Sequence, residues 1–304
     1  MGLISAPDHP VTVASKLFAE KVKNGTNGMI DIQVIPGGAL GGEVEMQDML
    51  SKGILDLASF GSAIPSNYNP EFQLLQMPFL WDSPDMMLAF ANSEIQEQMN
   101  EKYREKSGIR ILASNWDQGL RHVASRKPIK DIEDFKGVKM RVPQVPSWVD
   151  VWQSLGCTVV MLPFTEVYTA LQQGVCDAVE PPLYWVHASS LYEVAKNVTL
   201  TGHVMYYNQV FINDKLYSNM SVKTQKVLRD AALEAGIKET ETVQNLEKEL
   251  RKKLEEKGVQ FYEIDREKIA SAVISVYDKW QDAYGADLRR KVEAFKAEYR
   301  KKNR

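Results

Sequence analysis

The order of strands and helices in residues 121–185 constrains the fold more than any other feature of the sequence. A short strand ends at Arg141, just before Pro143, a helix starts at Pro146, and a second strand starts at Cys157. Proline cannot donate a sheet hydrogen bond, so Pro143 marks the end of the first strand. A second helix and a third strand complete the pattern. Such alternation is typical of an α/β domain, in which ligands bind where strands end.

The first 60 residues repeat the order strand, helix, strand, helix, strand. Two such units predict two lobes with a ligand cleft between them. The pattern is helical from Ser221 to about Lys257, and a helix of that length would extend for about 50 Å, enough to run along both lobes. The predicted first lobe comprises residues 1–117 and 209–245, the second comprises 118–208 and 246–304, and the crossings lie near 117–120 and 206–210.

Other local patterns predict further elements. Residues 30–35 alternate as a half-buried strand, and residues 85–106 read as one long helix. A helical segment is predicted to follow Trp185 as far as Leu200, and residues 203–212 predict a strand that returns to the first lobe. The glycine-rich turn at 36–42 lacks the lysine and hydroxyl group of a phosphate-binding loop, so we interpret it as a tight turn.

Composition excludes several classes of protein. The chain has 304 residues, of which 44% are hydrophobic, and a formal net charge of −3, which argues against a nucleic-acid partner. No apolar run reaches the length of about 20 residues that a membrane span needs. No signal peptide is visible at the start, so we expect either a cytoplasmic protein or the mature form of an exported one. Cys157 and Cys176 have no metal-like spacing with the histidines, and we expect two buried strand residues, with a disulfide as the alternative.

The chemistry of the sequence favours binding over catalysis. We find no nucleophile elbow, no metalloprotease motif and no cysteine–histidine pair with local support, and we expect no metal and no cofactor. A guanidinium offers a planar set of donors that matches a carboxylate in two parallel hydrogen bonds. Arg141 is the strongest candidate because it ends an apolar strand before a loop bounded by prolines. Arg121 is a second candidate, since it opens the strand after the predicted crossing.

Several other candidates have a structural alternative. Trp148, Tyr184 and Trp185 could stack on a ligand or pack in the core. His9 could contact a ligand or simply begin a helix. Glu180 could accept hydrogen bonds from a ligand hydroxyl group or form a structural salt bridge.

Four stretches of the sequence together resemble one family, the solute-binding proteins of tripartite ATP-independent periplasmic (TRAP) transporters, of the DctP type. They are the turn ending in Leu40-Gly41, Gly137-Val-Lys-Met-Arg-Val-Pro143, the segment from Pro163 to Glu180, and Leu191-Tyr-Glu-Val-Ala-Lys196. The resemblance covers nearly the whole chain. It implies a two-lobed, periplasmic-binding-protein-like fold whose lobes close on a small organic acid outside the cytoplasmic membrane.

The resemblance also implies partners and site residues. The protein would be a monomer that delivers its ligand to the two membrane permease subunits of the transporter. Arg141 would be the principal carboxylate clamp, Arg121 a second contact, and Phe164 a pocket residue. Members that bind sialic acid carry an asparagine where this chain has Pro181, which argues against a sialic acid ligand.

The residue types around these arginines favour a sugar acid. Trp148 and Trp185 offer flat faces for sugar C–H groups. Side chains that could serve hydroxyl groups complete the predicted ligand-binding set: His9, Glu43, Ser62, Gln118, Gln144, Glu180 and Asn208. A hexuronate such as glucuronate or galacturonate is the preferred ligand. The alternatives are a C4-dicarboxylate or a 2-oxo acid, a sensor role, and an α/β enzyme that acts on a sugar acid.

Overall fold

The computed structural model describes residues 1–303, which form eight β-strands, thirteen α-helices and four short 3-10 helices. The strands are β1 (Gly2–Leu3), β2 (Leu57–Gly61), β3 (Ile109–Ser125), β4 (Lys139–Val142), β5 (Thr158–Met161), β6 (Ala178–Val179), β7 (Asn197–Asn213) and β8 (Gln260–Tyr262). The α-helices are α1 (Pro10–Gly25), α2 (Glu43–Ser51), α3 (Phe72–Leu75), α4 (Pro84–Ala91), α5 (Glu94–Ser107), α6 (Pro146–Ser154), α7 (Val167–Gln173), α8 (Leu183–Ala188), α9 (Asp214–Ser218), α10 (Val222–Glu256), α11 (Arg266–Lys279), α12 (Gln281–Tyr284) and α13 (Ala286–Lys302). The 3-10 helices are Ile64–Asn67, Ile132–Phe135, Phe164–Glu166 and Leu191–Glu193.

The described chain divides into two compact units. Unit 1 comprises residues 1–69, 88–118 and 207–244, and unit 2 comprises residues 70–87, 119–206 and 245 onward. The sequence analysis placed residues 70–87 with the first lobe, whereas in the structure they group with unit 2. Tyr277 of α11 shows one reason, because its hydroxyl group donates to the carbonyl of Pro78 at 2.8 Å.

Unit 1 is built on a small mixed sheet. Strand β1 is parallel to β2, and β2 is antiparallel to the end of β7, with Leu57 opposite Ile212 and Gly61 opposite Asn208. Helices α1 and α10 contribute apolar side chains to the core, and Trp116 of β3 lies fully buried among them. Its indole N–H donates to the carbonyl of Ala232 in α10, so the largest core side chain also has its polar atom satisfied.

Unit 2 has a sheet in which β4 lies between β5 and β6, parallel to both. Strand β6 is antiparallel to the end of β3 at Ala124 and Ser125, and the start of β7 is parallel to β8. The core beside this sheet is apolar and includes Val179 of β6, Leu171 of α7 and Leu254 of α10. The sheet therefore brings the ends of β4 and β6 side by side, next to the antiparallel strand β3.

The predicted long helix is confirmed as α10, which has 35 residues. In unit 1 it packs closely on β3, because a Cβ atom added at Gly236 would lie 2.5 Å from a ring carbon of Trp116. The hydroxyl group of Thr240 donates to the carbonyl of Asn115 and accepts from the backbone N–H of Asp117. One side chain of α10 thus replaces the hydrogen bonds that a neighbouring strand would give to β3.

Three predicted elements are wrong. Residues 30–35 form no strand, since only Ile35 pairs, with Gly2, while the other apolar side chains pack on the core of unit 1. The helix predicted over 85–106 is two helices, and Ser93 caps the second by accepting from the N–H of Gln96. The segment after Trp185 is helical only in part, because β7 already begins at Asn197.

Three further features bear on function. Within residues 1–303 no helix is both long enough and apolar enough to cross a membrane. Cys157 and Cys176 are free and buried, so the alternative of a disulfide is wrong. No cluster of three or more histidine, cysteine or acidic side chains with the geometry for a metal ion occurs among the described residues.

Candidate functional site

Arg141 lies at the centre of the unit 2 sheet. It is the third residue of β4, where it pairs with Val160 of β5 and Val179 of β6, and only 2% of its surface is exposed. Its Nε and Nη2 atoms donate to the carbonyl oxygen of Leu162, at 3.0 and 2.6 Å. A backbone acceptor on a neighbouring strand end therefore fixes the plane of the guanidinium.

Aromatic rings lie beside this guanidinium. The Phe164 ring centre is 5.7 Å from the Arg141 guanidinium carbon, and the buried Trp185 ring meets Phe164 edge to face at 4.7 Å. Tyr184 is half-buried one residue before, and Gln144 is exposed in the loop after β4. Phe164 therefore contacts both Arg141 and Trp185, two other residues of the predicted ligand-binding set.

Arg121 is held in a different way. Its Nε and Nη2 atoms donate to the two carboxylate oxygens of Glu180, at 2.7 and 2.9 Å, in a bidentate salt bridge. The guanidinium carbon also lies 4.6 Å from the ring centre of Trp148 and 4.5 Å from that of Tyr206. The two rings and the carboxylate fix both the position and the plane of this guanidinium.

Trp148 is a buried part of this arrangement. Only 2% of its surface is exposed, and its indole N–H donates to the carbonyl of Gln76 at 2.8 Å. Its ring lies against Arg121 and, at 6.2 Å, against Tyr206. Of the two interpretations offered by the sequence, the structure shows Trp148 packing in the interior of unit 2.

Glu180 directly follows β6 and is fully buried. Burial alone would raise the pKa of its carboxyl group, but the charge of Arg121 and the hydrogen bonds from His203 and Arg121 outweigh burial and lower that pKa. His203 Nε2 lies 3.3 Å from the carboxylate, and its Nδ1 lies 2.8 Å from the hydroxyl group of Thr201. Of the two roles weighed for Glu180, the structure shows the salt bridge.

His203 is the neutral member of this group. Burial lowers the pKa of the imidazole, and the nearby carboxylate of Glu180 only partly offsets that effect. A neutral ring that donates from Nε2 to Glu180 accepts at Nδ1 from Thr201, which satisfies both ring nitrogens. The buried group around Arg121 therefore carries one positive charge and one negative charge.

Pro181 and Pro182 hold the end of β6 against β3. The carbonyl of Pro181 accepts from the N–H of His122 at 3.0 Å, and Pro182 forms an isolated bridge with Arg121. His122 Nδ1 accepts from the N–H of Gly202 at 3.0 Å, and burial lowers the pKa of this imidazole to about 3. His122 is thus a neutral acceptor with a structural role.

Three predicted contacts of unit 1 come together at the end of β2. The side chain of Glu43, at the start of α2, accepts from the N–H of Gly61 at 2.9 Å. Asn208 is the strand partner of Gly61, and the N–H of Ser62 donates to the carbonyl of Tyr207. Asn208 and Ser62 are both buried. The sequence placed these residues far apart, and the pairing of β2 with β7 joins them.

The two other candidates of unit 1 have clear structural roles. His9 caps α1, because its Nδ1 accepts from the N–H of Val11, and burial lowers its pKa to about 3. Gln118 is buried in the middle of β3, where its amide group donates to Glu239 Oε1 at 2.5 Å and to the carbonyl of Asp117. The helix-entry interpretation of His9 is confirmed.

Sequence reasoning missed three contacts: the ring of Tyr206 against Arg121, the carbonyl of Leu162 that accepts from Arg141, and the imidazole of His203 against Glu180. All three are contacts between residues distant in the chain. Tyr206 and His203 lie within one long strand, and neither stands in a motif that would have indicated its role. Every residue has a backbone carbonyl, so the residue type at Leu162 does not indicate that its carbonyl accepts from Arg141.

Comparison with known proteins identifies a family. The profile of the bacterial extracellular solute-binding proteins of family 7, named DctP, matches residues 1–284. A solute-binding protein of Roseobacter denitrificans is 33% identical over 253 residues, which are 83% of this chain and 77% of that protein. Its TRAP periplasmic solute-binding protein structure, with bound L-galactonate, has a TM-score of 0.90 at 30% identity and covers 97% of this chain and 96% of that chain.

Two other solved structures have similar scores. A TRAP periplasmic solute-binding protein of Xanthobacter autotrophicus with bound β-D-galacturonate has a TM-score of 0.92 at 27% identity and covers 97% of this chain and 98% of that chain. One of Pseudomonas putida with bound D-glucuronate has a TM-score of 0.91 at 26% identity and covers 96% and 95% of the two chains. The predicted α/β fold class is thereby confirmed. The family match over most of its length shows that this chain belongs to the DctP family of bacterial extracellular solute-binding proteins.

Proposed function

We propose that this protein is the extracytoplasmic solute-binding protein of a TRAP transporter and that it binds a sugar acid, with Arg141 as the clamp for the carboxylate. The observation that carries the proposal is the buried guanidinium of Arg141, which is oriented by the carbonyl of Leu162 and has the ring of Phe164 beside it, with the ring of Trp185 packed against Phe164. A fixed guanidinium is suited to a carboxylate, and aromatic rings beside it are suited to the C–H faces of a sugar.

The relatives support the class of ligand. Three of the solved structures hold L-galactonate, β-D-galacturonate and D-glucuronate, which are acids of six-carbon sugars, and others hold smaller acids such as D-erythronate or 2-acetolactate. A hexuronate such as glucuronate or galacturonate therefore remains the preferred ligand, ahead of a C4-dicarboxylate or a 2-oxo acid. The relatives are solute-binding proteins, which fits the expectation of a binding protein without turnover.

A thermal-shift screen followed by calorimetry tests the proposal. The screen includes hexuronates, hexonates, succinate, malate and pyruvate, and a ligand at 100 times its Kd adds about 2.7 kcal/mol of stability. Arg141→Ala should weaken binding of the best acid by roughly 30-fold to several thousand-fold, as expected when one partner of a buried charged pair is removed. Arg141→Lys keeps the charge without the planar donor set and should be intermediate.

Arg290→Ala is the matched control, because Arg290 is an exposed arginine of unit 2 that pairs within its own helix. It should bind as the wild type does. If Arg141→Ala binds the best acid as tightly as the Arg290→Ala control, the arginine clamp is wrong. A response to succinate or malate alone would instead replace the sugar acid with a C4-dicarboxylate.

The remaining parts of the proposal concern location, oligomeric state, partners and movement. We propose that the protein acts outside the cytoplasmic membrane as a monomer and delivers its ligand to the permease subunits. Uptake by cells that carry those subunits should depend on added wild-type protein and fail with Arg141→Ala. Closure of the two predicted lobes around the ligand stays a prediction, which small-angle X-ray scattering with and without the acid would test.

A further inference from the structure

We propose that Glu180 makes this site selective for acids with a single carboxylate, because it cancels the charge of Arg121 and so excludes diacids of the same carbon skeleton. The inference rests on the proposed function, in which Arg141 holds the one carboxylate of the ligand. It concerns a different residue and a finer choice of ligand: a hexuronate or hexonate against the corresponding aldaric acid, which has a carboxylate at both ends.

The first step is the state of Arg121. Both oxygens of Glu180 accept from this guanidinium at 2.7 and 2.9 Å, and the carboxylate is fully buried. Glu180 directly follows Val179, which is the strand partner of Arg141, so the pair stands next to the proposed clamp. Since the two opposite charges are in direct contact, a ligand held at Arg141 meets a nearly neutral pair there. Arg121 can still donate a hydrogen bond, but it offers little attraction to a second negative charge.

The second step is the rigidity of the pair. Arg121 lies between the rings of Trp148 and Tyr206, at 4.6 and 4.5 Å, and Glu180 is also within reach of His203 Nε2 at 3.3 Å. Swinging Arg121 towards a second carboxylate would leave the carboxylate of Glu180 buried without its partner. A buried charge that loses its partner is destabilising by several kcal/mol, so the pair is expected to persist when a ligand binds.

The third step is the supply of other cations. Besides Arg121 and Arg141, the described residues of unit 2 contain one further buried lysine or arginine, Lys296, whose amine pairs with Glu293 of the same helix at 3.1 Å. The buried side chains described for unit 1 include no lysine or arginine. A second ligand carboxylate would therefore have to lose its water shell without gaining a buried cation, which is unfavourable.

Glu180 acts through Arg121, so it is a positioning residue, and the informative quantity is the ratio of two affinities. The experiment takes the sugar mono-acid that binds most tightly and the aldaric acid of the same skeleton, for example galactonate and galactarate. These two differ only at carbon 6, which is an alcohol in one and a carboxylate in the other. Calorimetry at pH 7.5 gives both Kd values for each variant.

The wild type should bind the mono-acid at least about tenfold more tightly than the diacid, which is 1.4 kcal/mol. Glu180→Gln leaves Arg121 without its partner charge and should reduce this ratio at least about threefold, whatever happens to the absolute affinities. The double variant Arg121→Gln with Glu180→Gln removes both charges and should restore the wild-type ratio. Circular dichroism and the melting temperature of each variant establish that it is folded.

Two results overturn the inference and are distinguishable from failure of the proposed function. If the wild type binds the diacid as tightly as the mono-acid, and both depend on Arg141, then the selectivity is wrong while the clamp stands. If the ratio is unchanged in a folded Glu180→Gln variant, Glu180 is not its cause. If no acid binds, both the clamp and the selectivity fail together. Equal wild-type affinities for the two acids would overturn the inference even if Glu180→Gln does not fold.

Discussion

Among residues 1–303 each unit contains one fully buried glutamate, and the two glutamates have opposite electrostatic surroundings. In unit 2, Glu180 faces the guanidinium of Arg121, and the net effect lowers its pKa. In unit 1, Glu239 of α10 lies near Asp117, and burial together with that negative charge raises its pKa well above the ordinary value. Gln118 donates to one oxygen of Glu239, but within the described residues its Oε2 has no hydrogen-bond partner.

The comparison separates two effects that act on any buried acid. Burial favours the neutral form of both glutamates, and the sign of the nearest charge then decides the direction of the pKa shift. Beside an arginine the carboxylate stays ionised and serves as a fixed counter-charge. Beside an aspartate the acid favours its neutral form, in which it can donate a hydrogen bond. The same residue type therefore has a charge-balancing role in unit 2 and a pH-sensitive one in unit 1.

The largest expected effect on stability comes from removing the positive charge of Arg121, the partner of Glu180 in unit 2. Arg121→Met leaves Glu180 buried without its partner and should lower the free energy of unfolding by about 3–5 kcal/mol at pH 7.5. Urea unfolding followed by tryptophan fluorescence measures this loss. Arg290→Met, which removes an exposed arginine from α13, should change stability by less than about 1 kcal/mol. Equal values for the two variants would show that Glu180 is not an ionised counter-charge.

The next effect is a dependence of the free energy of unfolding on pH, caused by Glu239 in unit 1. The folded pKa of Glu239 is raised above an unfolded value of about 4.3, so the folded state holds this proton more tightly. Stability from this group is fully present below that unfolded value and is lost as pH rises towards the folded pKa, by up to about 1.4 kcal/mol per pH unit. A glutamine side chain does not ionise, so the Glu239→Gln variant does not lose this stability as the pH rises.

Relative to the wild type, Glu239→Gln should therefore gain stability between pH 5 and 7, by up to about 2.7 kcal/mol. Urea unfolding at several pH values measures the gain. Glu241→Gln is the control, because Glu241 is an exposed glutamate of the same helix that pairs with Lys238. A difference between Glu239→Gln and the wild type that stays flat with pH would contradict the raised pKa.

A smaller effect separates the two causes of that raised pKa. Burial is the largest cause and the charge of Asp117 is the second, so Asp117→Asn removes only the second. Between pH 5 and 7, Asp117→Asn should gain stability relative to the wild type, as Glu239→Gln does, but by less than half as much. A gain as large as that of Glu239→Gln would mean that charge, and not burial, dominates in unit 1.

The smallest expected effect concerns His203, which supports Glu180. Thr201→Val removes the hydroxyl group that bonds to Nδ1 of the imidazole and should cost about 1 kcal/mol of stability. Thr242→Val, at an exposed position of α10, serves as the control in the same unfolding assay. If the two variants have equal stability, the bond from Thr201 does not help to hold His203 against Glu180.

Much of the fold could be predicted from local patterns. Strand β4 with Arg141 near its end follows from an apolar run before Pro143, and α7 ends at Gly174, whose φ of +72° suits a glycine. The long helix α10 follows from its length and periodicity alone. These features depend on residues close in sequence, which is why the sequence predicted them.

The errors come from tertiary contacts. Residues 30–35 alternate as a strand would, but only Ile35 pairs, with Gly2 of β1, and the other apolar side chains pack against the core of unit 1. Residues 70–87 are near unit 1 in sequence, yet the contacts of Pro78 and Gln76 lie with α11 and α6 in unit 2. The sequence did contain a signal for the start of α5, since Ser93 followed three residues later by Gln96 is a capping pattern.

In the candidate site, too, residues that stand in local motifs could be predicted, whereas contacts between distant residues could not. The residues of the proposed clamp, Arg141 and Phe164, could be named from the sequence because they stand in motifs, and the structure shows them in contact. The partner of Arg121 was not, because Glu180 is 59 residues further along the chain and the sequence allowed either a ligand contact or a salt bridge. Only the pairing of β3 with β6 resolves that choice.

A crystal structure of the protein with D-galacturonate, or with whichever acid gives the largest thermal shift, tests the central claim most directly. Our account predicts both carboxylate oxygens within about 3 Å of guanidinium nitrogens of Arg141, with the salt bridge between Arg121 and Glu180 intact. A ligand whose carboxylate lies away from Arg141, with a hydroxyl group in that place, would contradict the clamp and with it the proposed function.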